Sequence, residues 1–444
     1  MRIVIIGAVA AGTSAATEIR RNDKEAEIVI YEKDRYISYA GCGMPYYISN
    51  EFNDFNELVP RDPAFFKTKS NIEILIEHDV LSINPSAKSV SVKNIITGEV
   101  FQDTYDKLVI STGATSGVPE IKGVDRNNVF FLKNINDMNN IKAFIENKTP
   151  KKAVIIGSGF IGMEMCEGFK NLGMDVTLIA RSSIAKGIDN DMFIHIENYL
   201  KEAGIHIYTN TQTKEIIDEG VVIEDGSVVE ADIVLMAAGI KPNVELATKA
   251  GVELGVTGAI KVDKHMRTNI ADIYSCGDCI EVYNTVTGKF IYKPLGSTAN
   301  KTGTIAGSNI SGKKEEFRGV LGTGIYRIFD MAVGQTGLSE YEAKKQGYDI
   351  VAIIDQKNNK SEYMGGKPIT IKVVADKETG TLLGAQIIGY EGVDKRLDVL
   401  VTAISLRAKA EDLMHLDLAY SPPYSIPRDP IYYIGAKLRA VLDK

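Results

Sequence analysis

Ala153-Val154-Ile155-Ile156 runs straight into Gly157-Ser158-Gly159-Phe160-Ile161-Gly162, and a helix-like stretch follows. A short apolar strand that ends in a full G-x-G-x-x-G and opens a helix is the pattern of a dinucleotide-binding turn. The first Gly allows the tight turn, the second allows close approach of a pyrophosphate, and the third lets helix and strand pack closely. The next strand, Asp175–Ile179, ends at Ala180-Arg181. An acid there would bind the ribose hydroxyls and repel a 2′-phosphate. Ala180 supplies no acid and Arg181 can pair with a phosphate, so NADPH is expected over NADH. A solvated surface charge is the alternative reading of Arg181.

The same unit occurs earlier. Arg2–Ile6 is a buried parallel strand in pattern, Gly7-Ala8-Val9-Ala10-Ala11-Gly12 follows, and residues 13–20 form an Ala-rich helical stretch. The strand at 28–31 ends on Glu32, followed by Lys33, with the acid at the position that binds a ribose. Val9 stands where the second Gly is usual. Strand-like and helix-like runs alternate through most of the first 240 residues, so the fold class is α/β with two Rossmann-like units. Residues 115–151 form a connection. From about residue 322 the pattern changes to α+β, with strands at 368–374 and 382–388 and a helix at 395–409.

Composition excludes several classes. A net charge of −7 disfavours a nucleic-acid binder. No stretch approaches the ~20 apolar residues of a membrane span, and residues 3–6 are too short a run for a signal-peptide core. Four Cys in 444 residues make no disulfide framework, which points to a reducing cytoplasm.

Five further segments carry a family resemblance. Thr268-Asn269-Ile270-Ala271-Asp272-Ile273-Tyr274-Ser275-Cys276-Gly277-Asp278 resembles the second FAD fingerprint of the pyridine nucleotide–disulfide oxidoreductases, in which the Asp, here Asp278, binds the ribityl chain. Ser111-Thr112-Gly113-Ala114 and Ala237-Ala238-Gly239 resemble the two crossover motifs of that family. Ser38-Tyr39-Ala40-Gly41-Cys42-Gly43-Met44-Pro45-Tyr46-Tyr47 resembles the active-site segment of coenzyme A-disulfide reductases and related NADH oxidases, and Ala419-Tyr420-Ser421-Pro422-Pro423-Tyr424-Ser425 resembles their C-terminal Tyr-x-Pro-Pro-Tyr segment. The resemblance spans essentially the whole chain. It implies an FAD-binding domain at 1–115 and 246–321, an NAD(P)H-binding domain at 116–245 and a dimerisation domain at 322–444. It also implies a homodimer in which the C-terminal segment reaches the partner's active site.

The expected electron path runs from NAD(P)H through FAD to Cys42. No Cys precedes Cys42 and the next is Cys166, so it has no neighbour for an internal disulfide. A lone thiol carries two electrons as a mixed disulfide with a small thiol or as a sulfenic acid. A buried structural Cys is the competing reading. To react, Cys42 is expected to be a thiolate, favoured by a helix N-terminus or nearby positive charge. Cys276 and Cys279 have C-x-x-C spacing, but packing is favoured over redox or metal chemistry, and Cys166 reads as core; no metal is expected.

Relatives that handle peroxide have a His inside the first Gly turn. Ala10 holds that place here, and none of the five His adjoins Cys42, which disfavours peroxidase chemistry. Proton donation then falls to Tyr363, Tyr420 and Tyr424, as the resemblance implies, with ordinary aromatic packing as the alternative for each. Arg20, Arg21, Arg61 and Lys67 flank the Cys42 segment and can pair with phosphates. Of the flanking residues, Arg21, Ser38 and Arg61 match the family's substrate contacts most nearly. The expected substrate is coenzyme A disulfide, with coenzyme A in mixed disulfide with Cys42 as a resting form. Gly41 stands where these reductases often have Asn, and persulfide reductases carry Gly-rich versions of the segment. A persulfide or polysulfide reductase, a water-forming NADH oxidase, and an electron-transfer reductase for a small redox protein are the rival readings.

Overall fold

The computed structural model describes residues 1–182 and 187–444. A first sheet has the order Ile273–Ser275, β4 (Lys107–Ile110), β1 (Arg2–Ile6), β2 (Glu27–Tyr31), β3 (Glu73–Leu75), all parallel. Ile3, Val4 and Ile5 of the central strand are fully buried. A parallel strand covered by helices on both faces needs this unbroken apolar run. One cover is α1 (Ala10–Asn22), packed against the helix Gly296–Ile310. The fit is close because the residues are small. A Cβ on Gly303 would lie 2.3 Å from the Ala11 carbonyl oxygen, and one on Gly307 2.6 Å from that of Ala15.

The second sheet repeats the plan. Its order is β8 (Ile205–Tyr208), β7 (Asp175–Ile179), β6 (Lys152–Ile156), β9 (Ile233–Met236), β5 (Val129–Phe130), again all parallel. The strand that feeds the Gly turn is central in both sheets. The helix α2 (Phe160–Asn171) leaves the second turn, and α3 (Asn190–Glu202) follows β7.

The third sheet is antiparallel, in the order β10 (Gly324–Ile328), β11 (Met331–Gly337), β14 (Leu382–Gly389), β13 (Pro368–Asp376), β12 (Ile350–Asn358). Helices α4 (Val393–Ser405) and α5 (Pro430–Leu442) pack on it. Several element bounds differ from expectation, most of all at two helices. Helix α1 already starts at Ala10, inside the Gly turn, so that its first N–H groups face outward from the turn. Helix α4 ends at Ser405, short of residue 409. Arg407 takes a φ of +57°, and the Ala408 carbonyl is drawn off to accept from the Leu382 N–H at 2.9 Å, at the start of the central strand β14.

Candidate active site

The two Gly turns are built on one steric plan. Gly7 has φ +103° and Gly157 φ +111°, conformations that a side chain rarely adopts. A Cβ on Gly7 would lie 2.3 Å from the Ser111 carbonyl oxygen, and one on Gly157 2.4 Å from that of Ala237. A Cβ on Gly12 would reach 1.9 Å from the Gly7 carbonyl oxygen, and one on Gly162 2.1 Å from that of Gly157. Each turn is therefore pressed between its own helix and its crossover strand, leaving its outer edge for a ligand. At Gly159 a Cβ would meet nothing within 4 Å. At the end of β2 the buried Glu32 carboxylate accepts from the Ala8 N–H at 2.7 Å and from the Asp34 N–H at 2.9 Å. Lys33 beside it is exposed.

The crossovers meet. Ala114–Ser116 pairs antiparallel with Ile240–Pro242. The Thr112 hydroxyl donates to the Asn243 carbonyl at 2.7 Å, and the Asn243 side chain donates back to the Thr112 carbonyl at 2.8 Å. Gly113 and Gly239 both have positive φ with open space where a Cβ would stand. Gly277 also has positive φ, and a Cβ there would lie 2.7 Å from Ala11. The following Asp278 pairs with Lys133 at 3.0 Å.

Cys42 lies in the 3-10 turn Gly41–Gly43, immediately before the short helix Met44–Ile48. The segment starts on the first Gly turn, where the Ser38 N–H donates to the Ala8 carbonyl at 2.9 Å. Ser38 has a φ of +47°, an uncommon conformation for a side-chain residue. The helix Met44–Ile48 packs on α2, and the Tyr46 hydroxyl donates to Glu164 at 3.2 Å. Cys42 is exposed, as a reactive thiol requires. The other cysteines are fully buried and packed. The expected thiolate is not prepared by the chain alone. Although Cys42 is exposed, partial desolvation by neighbouring atoms pushes its thiol up, the Glu164 carboxylate adds to this, and the Lys133 ammonium opposes it. Glu164 itself is pushed up to about 7 by burial, against the hydrogen bond from Tyr46.

Beside Ser38, Tyr39 and Ala40 opens a cleft of about 410 Å³ that Arg21, Arg61 and Asn300 also line. Three residues far apart in sequence, Arg21, Ser38 and Arg61, thus share one cavity. Arg21 is held by an ion pair with Glu18, and the Arg61 guanidinium sits 5.6 Å from the Phe65 ring. Ala10 forms part of the wall, where a methyl group offers no proton. Two flanking cations do otherwise than expected. Arg20 is buried and donates to backbone carbonyls, among them Ser70 at 2.8 Å and Asn71 at 3.0 Å, which leaves it no phosphate to hold. Lys67 lies 4.0 Å from Glu73 and does not line the cleft.

Arg181 is exposed at the end of β7, on the same edge of the second sheet as Gly157 and Gly159. Tyr363, in the turn Glu362–Met364, is 76% exposed, Tyr424 71% and Tyr420 50%. Among the described residues no hydrogen bond joins any of the three to Cys42, and none is among the charged or titrating neighbours that shift its thiol. They do share a support. The buried Arg396 donates to the Asn359 carbonyl at 2.8 Å, to Ser425 at 3.3 Å and to Asp429 at 2.8 Å, tying the Tyr363 turn to the Tyr424 segment.

Two residues of the site escaped the motif reading. Lys133 and Asp278 are 145 residues apart, and no local pattern marks Lys133. Glu164 is on the first two turns of α2, where the spacing from Gly157 was the available signal.

Residues 1–291 match the pyridine nucleotide-disulphide oxidoreductase family, and residues 325–429 match its dimerisation domain. The chain belongs to the pyridine nucleotide-disulphide oxidoreductases. It is 37% identical over 446 residues to a CoA-dependent NAD(P)H sulfur oxidoreductase of Pyrococcus furiosus, with 99% of each chain covered. It is 34% identical over 438 residues to a coenzyme A disulfide reductase of Staphylococcus epidermidis, covering 98% of this chain and 99% of the other. Among solved structures, an engineered water-forming NADPH oxidase (TPNOX) bound to NADPH superposes with a TM-score of 0.94 at 28% identity, covering 100% of this chain and 99% of that one. As a pyridine nucleotide-disulphide oxidoreductase the chain is an FAD enzyme that uses NAD(P)H to reduce a disulfide-type acceptor. Its two open-edged Gly turns fit the two nucleotides. The dimerisation domain supports self-association. Among the described residues no helix is long and apolar enough to cross a membrane, and no cluster of three or more His, Cys, Asp or Glu could hold a metal.

Proposed function

We propose that this enzyme reduces coenzyme A disulfide with NADPH, through a mixed disulfide on Cys42. The observation that carries the reading is the cleft where Arg21, Ser38 and Arg61 converge beside the Cys42 segment. Two guanidinium groups suit the phosphates of an acidic nucleotide. The two curated relatives named above share coenzyme A in their names, and they differ in the sulfur species.

The Cys42 thiolate attacks one sulfur of the disulfide, forming a mixed disulfide and expelling one coenzyme A thiolate. A proton from Tyr363, Tyr420 or Tyr424 of the partner subunit neutralises the leaving thiolate. FAD, which Glu32, Gly277 and Asp278 would help to hold, would supply the electron pair, drawn from NADPH, for cleavage of the mixed disulfide on Cys42. Cys42 returns to the thiolate as the second coenzyme A leaves. The sum is one disulfide, one NADPH and one proton giving two thiols and NADP⁺. Lys133 is the cation that favours the Cys42 thiolate.

In this reading residues 1–115 and 246–321 hold FAD, through Gly7, Ala10, Gly12, Glu32, Lys33, Thr112, Gly113, Gly277 and Asp278. Residues 116–245 hold NADPH through Gly157, Gly159, Gly162, Arg181 and Gly239, and residues 322–444 form the homodimer in the cytoplasm. The preference for NADPH rests on Ala180-Arg181-Ser182. The engineered NADPH oxidase carries Asp-to-Ala, Ala-to-Arg and Met-to-Ser changes at three consecutive positions, the same three residues in the same order.

A coenzyme A persulfide is the second reading, and Gly41 favours it. A Cβ there would lie 3.7 Å from Tyr39, ordinary contact, so the backbone does not demand Gly and the site is left open beside the thiol. Anaerobic turnover decides. NADPH oxidation with coenzyme A disulfide, lost in Cys42→Ser while FAD stays bound, is the expected result. Rapid oxygen consumption with no disulfide reduction, or full turnover by Cys42→Ser, overturns the proposal.

A further inference from the structure

Among the described residues one acid lines the cleft beside the Cys42 segment, Glu18 of α1. A carboxylate is out of place in a wall that faces the phosphates of a nucleotide, since like charges repel. It is also buried, at 6% exposure. Its surroundings are built to keep it there. Gly307 on the neighbouring helix leaves it room, because a Cβ at that residue would stand 3.0 Å from the Glu18 Cβ. Glu18 Oε1 accepts from the Asn22 side chain at 2.7 Å and from the Ser308 hydroxyl at 3.1 Å. Two cations complete the shell. Oε2 accepts from Arg21 Nη1, and Lys313 Nζ lies 3.7 Å from Oε1. Burial pushes the Glu18 carboxyl up, but Asn22, Ser308, Arg21 and Lys313 together outweigh it and hold the group below its ordinary pKa. Glu18 is therefore ionised at neutral pH.

Both carboxylate oxygens are engaged from within the chain, so what Glu18 contributes is placement. Its two cations come from different parts of the chain. Arg21 is in the last turn of α1, and Lys313 follows the helix Gly296–Ile310. One carboxylate brings them together, while 66% of the Arg21 side chain and 50% of the Lys313 side chain remain exposed. A guanidinium has five N–H donors and an ammonium three, so each keeps donors for a second anion.

We infer that Glu18 is a positioning residue for the substrate: it gathers Arg21 and Lys313 into a paired cation site for a phosphate of coenzyme A disulfide. The inference rests on the proposed reading of the cleft as the coenzyme A site, and it adds Lys313 to that site. Glu18 touches no phosphate and acts through the two cations. Held from behind, the Arg21 guanidinium gives up its rotamer freedom before the substrate arrives, and less is lost on binding. Charge alone would make the site bind phosphate more tightly without the acid. Preorganisation makes it bind more weakly. The sign of the change separates the two.

The test uses the FAD-loaded full chain with Glu18→Gln, which keeps the size and a polar end for Asn22 and Ser308, and with Lys313→Met at an exposed position. KM for coenzyme A disulfide is expected to rise about fivefold in each, with kcat, FAD content and KM for NADPH held. In Lys313→Met it should also climb less steeply with salt than in the parent protein, because one cation is gone. A lowered or unchanged KM in Glu18→Gln overturns the inference. So does an equal loss of kcat, FAD or NADPH affinity, the mark of a defect in α1 as a whole. Should Glu18→Gln not fold, Lys313→Met decides, and an unchanged KM there removes the paired site. Arg21→Ala tells this inference from the reading beneath it. If that variant leaves KM for coenzyme A disulfide unmoved, the cleft is not the coenzyme A site and both fall. If it raises KM while Glu18→Gln and Lys313→Met do not, the positioning role alone is wrong.

Discussion

The Tyr46 hydroxyl donates to the Glu164 carboxyl at 3.2 Å, and this bond ties the Cys42 segment to the helix of the second Gly turn. Tyr46 lies four residues after Cys42, and Glu164 lies on α2, so the two nucleotide units meet at the thiol. Arg327 from β10 adds a third element, with its guanidinium 5.5 Å from the Tyr46 ring.

Glu164 makes stability depend on pH. Burial raises its folded pKa from 4.5 to about 7. For a raised group the contribution is complete below the unfolded pKa and is lost as pH climbs through the folded one. Between about pH 4.5 and 7 the protein is expected to lose up to about 3 kcal/mol relative to Glu164→Gln, whose amide does not ionise. Denaturant melts of both proteins across this range check it, and parallel curves would refute it.

Arg21 and Arg61 are expected to set substrate affinity without touching the chemistry. Arg21→Ala and Arg61→Ala should each raise KM for coenzyme A disulfide about tenfold and leave kcat nearly unchanged, with KM of the parent protein rising with salt. Steady-state kinetics at two ionic strengths measure this. A fall in kcat at constant KM would remove both residues from the binding role.

The second Gly turn offers a contrast within three residues. Gly157→Ala forces a Cβ to 2.4 Å from the Ala237 carbonyl at φ +111°, whereas Gly159→Ala meets nothing within 4 Å. The first is expected to destabilise the fold by about 1–3 kcal/mol, the second to leave it within about 0.5 kcal/mol yet weaken NADPH binding. Thermal melts with and without NADPH distinguish them.

Arg396 and Asp429 form a buried ion pair at 2.8 Å under the tyrosine segments. Arg396→Met leaves the carboxylate buried and unpaired, at an expected cost of about 3–5 kcal/mol. Disulfide turnover per folded FAD enzyme should fall as well, since the same guanidinium ties the Tyr363 turn to the Tyr424 segment. A loss of stability without loss of turnover would show that the tyrosines do not depend on this support.

Strand–turn–helix patterns were legible in the sequence because they are local. Arg2–Ile6 and Asp175–Ile179 are strands as read, and each Gly turn opens a helix, although both helices begin inside the turn, at Ala10 and Phe160. Cys42 stood out by its flanking residues and by the lack of a second Cys close to it in sequence, and Ala10 argued against peroxide chemistry. These are properties of residue type and spacing, which the chain carries before it folds.

Other features exist only in three dimensions. Arg20 and Arg21 are adjacent in sequence, yet helical geometry sends one into the core to satisfy backbone carbonyls and the other to the cleft. The pairing of Lys133 with Asp278 and the burial that shifts Glu164 and Cys42 arise from the packing of distant elements. Charge environment depends on distance and desolvation, and neither is a function of sequence separation. The sequence by itself determined the two nucleotide units and singled out Cys42 as a thiol with no close neighbour; the tertiary structure alone decided which cations line the cleft beside it and which charges surround the thiol, because both depend on the packing of distant elements.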